Sequence, residues 1–227
     1  MPAIIHPHAG QIGDTAGAFN YFVQYLNSRG YAVRSPTTRG IAGFGINFLE
    51  DELGGYGQEM QDDLEDSARW LVKMGIADEE RICIVGGYYG GYAALMGVVK
   101  TPEFYRCAIS FAGVSDLVEF RNFKRKFVGG KILRQQIGTD NAELRATSPA
   151  YHAERIKAPV LLAHGDRDRT VPITQSNEMA KELRRAKKEV VYLKLEDGSH
   201  FLNKQENRTA LFEAIEAFLA KHLPVEN

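Results

Sequence analysis

The sequence predicts an α/β fold, a mostly parallel sheet of about six strands with helices on both faces, and three observations carry that prediction. Short apolar runs alternate with helical patterns from end to end, as expected when each strand returns through a helix to lie parallel to the one before. The 227 residues, 44% of them hydrophobic, suffice for one large α/β core, so a single domain over 1–227 is expected. A glycine-rich turn follows the third apolar run, where a strand would meet a helix.

The six predicted strands are 3–7, 31–35, 81–86, 107–112, 160–164 and 190–195. A helix between the first two ends at the Gly30 stop signal. Over 58–74, Met60, Leu64, Ala68 and Leu71 share one helical face, and Asp62, Asp63, Glu65 and Asp66 load the first half with negative charge, as the helix dipole prefers. Trp70 is expected on the buried face. The last helix, 207–223, repeats Leu211, Ile215, Phe218 and Leu219 at the same period. Residues 117–148 break the rhythm with a basic cluster (Lys124, Arg125, Lys126) and the Gly129-Gly130 pair, and read as a helical excursion, either covering a cleft or simply solvated. Lys181, Arg184, Arg185 and Lys188 read as the solvated end of a helix.

Lys plus Arg (28) nearly balances Asp plus Glu (29), which gives no footprint for a polyanion, and nucleic acid is not an expected partner. No apolar run approaches the length of a membrane span, and the opening residues lack the pattern of a secretory leader, so no membrane association and a cytoplasmic setting are expected. Cys83 and Cys107 each sit in an apolar strand and are expected to be reduced, acting as small hydrophobes. His6 and His8 lie two apart on a strand and face one side, but no cysteine or carboxylate stands nearby, so no metal site is predicted. No cofactor is predicted either: the glycine turn lacks the Gly-x-Gly-x-x-Gly spacing and lies mid-chain.

The chemistry centres on that turn. An apolar strand runs into Gly86-Gly87-Tyr88-Tyr89-Gly90-Gly91 and then into a helix, the setting in which Gly-x-Ser-x-Gly forms a nucleophile elbow. The bend requires small residues two before and two after its apex, and Gly86 and Gly90 meet that demand. The apex is Tyr88 rather than serine.

Residues 86–95 resemble the Gly-Gly-Ser-Tyr-Gly-Gly-Tyr-Ala-Ala-Leu segment of the prolyl oligopeptidase family with only the serine changed. Other blocks agree in order. His8-Ala9-Gly10-Gln11 is similar to that family's His-Gly-Gly-Pro turn, and Arg39-Gly40 with Gly43-Phe44-Gly45 to its Arg-Gly-Ser-x-Gly-Tyr-Gly stretch. His164-Gly165-Asp166-Arg167-Asp168 through Val171-Pro172 resembles its His-Gly-x-x-Asp-x-x-Val-Pro loop, and Gly198-Ser199-His200-Phe201 its histidine loop. The resemblance spans essentially the whole chain. It implies the α/β-hydrolase fold without the family's first antiparallel strands and without the β-propeller that precedes this domain in full-length members. It implies serine-type hydrolysis of peptides or small esters and amides, with Tyr88 at the nucleophile position, Asp168 as the acid (Asp166 falls on a variable position) and His200 as the base. His200 follows Asp168 by 32 residues, and the order nucleophile, acid, base suits the fold.

In such a triad the histidine takes the nucleophile's proton while the carboxylate orients the imidazole. An oxyanion hole is expected from the backbone N–H groups of Tyr89 and Ala9, which need no particular side chain. Tyr88 breaks the pattern. Its phenolic oxygen lies roughly 6.5 Å from its Cα, against about 2.4 Å for a serine oxygen, so it overshoots the point where oxyanion donors converge. Little or no hydrolysis is expected, and a non-catalytic role binding a peptide or protein partner in the old cleft is the alternative. An exposed N-terminal edge strand could pair with a second copy to form a homodimer.

Overall fold

A computed structural model describes residues 1–8, 19–40 and 56–225. Its sheet has six parallel strands: β1 (Ala3–Ile5), β2 (Ala32–Arg34), β3 (Ile82–Gly87), β4 (Cys107–Phe111), β5 (Val160–Gly165) and β6 (Val190–Leu195). They lie in the order β2-β1-β3-β4-β5-β6. All six predicted strands are present, with the first two trimmed to three residues each.

Strand alternation splits the apolar residues between two cores, since successive side chains point to opposite faces. On one face Ile5, Ile82, Ile84, Ala108 and Leu162 meet α2 (Glu59–Lys73), α3 (Tyr89–Lys100) and α7 (Thr174–Arg185). On the other, Ile4, Val85, Ile109 and Leu161 meet α1 (Tyr21–Ser28) and α8 (Gln205–His222). The α3 helix is buried along almost its whole length, as the central helix of a parallel sheet must be. The excursion consists of α4 (Leu117–Lys124), α5 (Gly130–Ile137) and α6 (Asn141–Ala146). Asp116 and Asp140 cap α4 and α6 by accepting backbone N–H groups of their first turns.

Two expectations are corrected. Cys83 and Cys107 are not free thiols: they are register partners on β3 and β4, with Cα atoms 4.7 Å apart, and form a disulfide. Two cysteines on adjacent strands and the same face need only the right register to meet. Trp70 is 44% exposed rather than buried. It sits one residue off the Met60, Leu64, Ala68, Leu71 stripe, a rotation of about 100°, which carries its ring to the rim beside β2, where the Arg34 guanidinium lies 5.1 Å from its centroid.

Candidate active site

The elbow is built from backbone before any side chain is considered. Tyr88 adopts φ 54° and ψ −114° between β3 and α3, a conformation that L-residues avoid and that costs about 1–3 kcal/mol. Its N–H donates to the Phe111 carbonyl (2.9 Å), and its own carbonyl accepts the Tyr92 N–H (3.0 Å), so the bend is held by the neighbouring strand and by the first turn of the helix. A Cβ at Gly86 would collide with the backbone of Gly90, and one at Gly90 would lie 2.6 Å from the Pro7 carbonyl oxygen. The bend closes only because both positions lack a side chain.

Asp168 and His200 come from the loops after β5 and β6, which are stitched together by Asp166 N–H to Leu195 O (3.1 Å) and Arg167 N–H to Gly198 O (2.9 Å). The two side chains meet at 2.7 Å, His200 Nδ1 to Asp168 Oδ2. Asp168 is fully covered and His200 is 11% exposed. The other carboxylate oxygen accepts the N–H groups of Thr170 (2.7 Å) and Val171 (2.9 Å). Burial alone would favour the neutral acid, but the hydrogen bonds of His164, His200 and the Val171 N–H outweigh it and hold Asp168 well below the ordinary carboxylate range.

The Tyr88 and His200 rings pack edge to face, with centroids 5.3 Å apart and planes at 89°. Among the described residues none hydrogen-bonds the Tyr88 hydroxyl. Burial, reinforced by the nearby Asp168 carboxylate, raises the Tyr88 phenol above its ordinary pKa. The structure thus gathers Tyr88, His200 and Asp168 at the C-terminal edge of the sheet, with an imidazole oriented by a carboxylate and a protonated phenol in place of a hydroxymethyl.

Tyr89 occupies the first position of α3, ahead of that helix's own i→i−4 ladder. Its buried ring stacks on His8 (5.3 Å), and its hydroxyl donates to Met60 Sδ (3.1 Å). Ala9, the other expected oxyanion donor, lies outside the described residues, as do Gly10, Gln11 and 43–45. Asp166 does not reach His200. Its carboxylate lies 3.8 Å from Lys194 Nζ. The histidines His6 and His8 have separate protein partners, Val85 O (2.7 Å) and Thr38 Oγ1 (3.2 Å). Among the described residues no group of three or more metal-ligating side chains converges.

One residue escaped functional notice in the sequence. His164 is fully buried at the end of β5, bridging Ser176 Oγ (2.7 Å) and Val171 O (3.1 Å), with Nε2 3.4 Å from Asp168 Oδ2. It braces the acid loop from behind. Its place at the end of an apolar strand, four residues before Asp168, was the available signal.

The pattern of the prolyl oligopeptidase family matches residues 18–226. The chain is 30% identical over 230 residues to dipeptidyl aminopeptidase BIII of Pseudoxanthomonas mexicana, covering 98% of this chain and 33% of that protein. It is 28% identical to dipeptidyl peptidase family member 6 of Caenorhabditis elegans, covering 97% and 31%. The chain therefore spans about a third of the length of these relatives. Among solved structures, a puromycin-hydrolysing peptidase of Mycobacterium tuberculosis superposes with a TM-score of 0.93 at 31% identity, covering 99% of this chain and 34% of that one. The acylaminoacyl peptidase of Pyrococcus horikoshii superposes with 0.91 at 27% identity, covering 100% and 38%. No helix among the described residues is long and apolar enough to cross a membrane.

Proposed function

We propose, since the chain belongs to the prolyl oligopeptidase family of serine peptidases, that it is a peptidase and esterase scaffold whose acyl-transfer chemistry Tyr88 suppresses. One observation carries this reading: a phenol stands at the strained apex of the elbow, edge-on to an imidazole that Asp168 holds at 2.7 Å. In the corresponding reaction a serine oxygen attacks the acyl carbon, His200 takes the serine proton and returns it to the leaving group, and Asp168 stabilises the imidazolium. The N–H groups of Tyr89 and Ala9 would receive the oxyanion. With Tyr88 in place the imidazole has no hydroxymethyl to deprotonate, and the ring fills the space where the acyl group would lie. The substrates are peptides or small esters and amides, and the chemistry calls for no cofactor or metal.

A second reading is a non-catalytic domain that holds a peptide or protein partner in the same cleft, with the Tyr88 ring packed edge to face on His200 where a hydroxymethyl would stand. Turnover of a nitrophenyl ester separates the two histories of the site. The wild-type chain should be at background, and Tyr88→Ser should rise at least 100-fold, the contribution expected of a restored general base. Wild-type turnover equal to that of Tyr88→Ser would refute the suppression, and a silent Tyr88→Ser that still binds peptide would favour the non-catalytic reading.

Three further expectations enter as proposals. The residues 1–227 form one domain. A homodimer forms through an edge strand, for which the six-residue β6 offers more unpaired backbone than the three-residue β2 at the N-terminal side. A cytoplasmic setting is compatible with the Cys83–Cys107 disulfide because both sulfurs are buried out of reach of soluble thiols. Sedimentation of the purified protein and fractionation of the cells that make it test the last two.

A further inference from the structure

Phe201 follows His200 directly, and its side chain is 76% exposed. The loop that carries it is tied down on both sides. Ahead of it, His200 turns inward to Asp168. Behind it, Leu202 is buried in the core shared by the sheet, α1 and α8. Leu202 takes a positive φ of 48°, which a leucine adopts only where its surroundings hold it. Its N–H donates to the Ser199 carbonyl (3.2 Å), and Arg208 Nη1 donates to the carbonyls of Leu202 (2.7 Å) and Asn203 (3.1 Å). With the side chains before and after it drawn inside, Phe201 is left on the surface of an anchored loop.

A single exposed phenylalanine needs no explanation of its own. This one differs in what it touches: its ring centroid lies 5.1 Å from that of His200, with the planes at 88°. The imidazole is thus in contact with two aromatic rings, Tyr88 at the nucleophile position and Phe201 beside it. Asp168 occupies Nδ1, which leaves Nε2 for the proton that acyl transfer moves. When the bond from the acyl carbon to the departing oxygen or nitrogen breaks, the imidazolium passes that proton to the departing atom. That atom must lie within about 3 Å of Nε2, so the group it carries begins within reach of the exposed Phe201 ring. Packing an aromatic leaving group there removes apolar surface of both partners from water and adds the preferred geometry of a ring pair.

We propose that Phe201 is the apolar wall of a leaving-group subsite, so that the site favours peptides and esters whose departing amine or alcohol carries an aromatic or large apolar group. This rests on the acyl-transfer reading given above and names the half of the substrate on which that chemistry selects. The acyl half meets the position of Tyr88, and the departing half meets Phe201.

The test uses the Tyr88→Ser chain and two acetate esters, benzyl and ethyl, whose alcohols differ little in acidity and so depart with similar ease. The kcat/KM for the benzyl ester should exceed that for the ethyl ester by about tenfold or more, the discrimination that added apolar contact gives. Phe201→Ala should bring that ratio to within about threefold of unity, and Phe201→Leu, which keeps apolar surface but no ring, should leave it intermediate. The side chain is mostly exposed, so neither change disturbs the fold, and a ratio of two substrates does not depend on the amount of active protein. A ratio near one in Tyr88→Ser, or a benzyl preference that survives Phe201→Ala, would overturn the subsite. Labelling with a fluorophosphonate separates that failure from failure of the scaffold reading, because the group it expels is fluoride and makes no use of Phe201. An adduct on Tyr88→Ser beside a ratio near one overturns the subsite alone, whereas neither adduct nor turnover overturns both.

Discussion

The two halves of the Tyr88, His200 and Asp168 cluster have kept different things. The acid–base half retains its side-chain contacts: Asp168 accepts two backbone N–H groups on one oxygen and His200 on the other, and His164 braces it from behind. The elbow half has the backbone of a tight bend, with positive φ at its apex, the tie to Phe111 and the two glycines that let it close, and carries a phenol at that apex. The bend is therefore set by packing between the end of β3 and the start of α3 rather than by the residue at its apex. Its strain is offset by the burial of α3, including Ala93, Leu95, Val98 and Val99, at roughly 25 cal/mol per Å² of apolar surface removed from water. On the proposed reading, a single side chain then suppresses the chemistry without disturbing the rest.

The contrast is broken most severely by removing the acid once the nucleophile is restored. In a Tyr88→Ser background, Asp168→Asn should lower kcat for ester hydrolysis by about 10⁴-fold, because the imidazole would be held in the wrong tautomer. A loss below tenfold would mean that Asp168 does not orient His200. At the elbow, Gly86→Ala should cost about 3 kcal/mol in urea denaturation, since the new methyl meets the Gly90 backbone rather than a movable side chain. A cost near zero would show that the bend is looser than described.

The acid half also carries a pH signature. The folded-state pKa of Asp168 is depressed, so its contribution to stability is fully present above the unfolded aspartate value of about 4 and is lost as the pH falls through the folded value. The stability difference between wild type and Asp168→Asn, measured by denaturation, should therefore be constant from pH 7 to about 5 and narrow by about 1–2 kcal/mol on further acidification. A difference that widens in acid would contradict the depressed pKa. The smallest effect is expected behind the elbow, where Tyr92 donates to the Thr147 carbonyl at 2.8 Å from a fully buried position. Tyr92→Phe should cost about 1 kcal/mol and leave the turnover of Tyr88→Ser unchanged within twofold, as a prop of the excursion rather than of the reacting groups.

Much of this arrangement was legible in the sequence because it is written in local patterns. Short apolar runs gave all six strands, the 3.6-residue period gave α2 and α8, and the glycines around Tyr88 gave the elbow. What was not legible depends on register and on a helix's rotation. Nothing in the apolar runs around Cys83 and Cys107 says that β3 and β4 align them as partners, and the disulfide follows only from that register. Trp70 lies one residue beyond the Leu71 edge of its helix's apolar stripe, and an aromatic there is as compatible with the rim as with the core. His164 was visible as a residue type but not as a partner of Asp168, since a spacing of four across a strand end does not say whether the two side chains turn toward each other. Asp168 and His200 were assigned through a resemblance of motifs rather than through spacing alone, and their meeting at 2.7 Å is a geometric fact that the spacing permitted but did not require.

On the proposed reading, an oriented imidazole stands ready beside a position where only the nucleophile is missing. Intact-mass measurement after exposure to a fluorophosphonate addresses it directly, because the probe reports an activated hydroxyl irrespective of substrate preference. No adduct is expected on the wild-type chain, with a single adduct mapped to position 88 in Tyr88→Ser and loss of that adduct when His200→Ala is added. Labelling of the wild type, or a Tyr88→Ser chain that remains unmodified while folded, would contradict it.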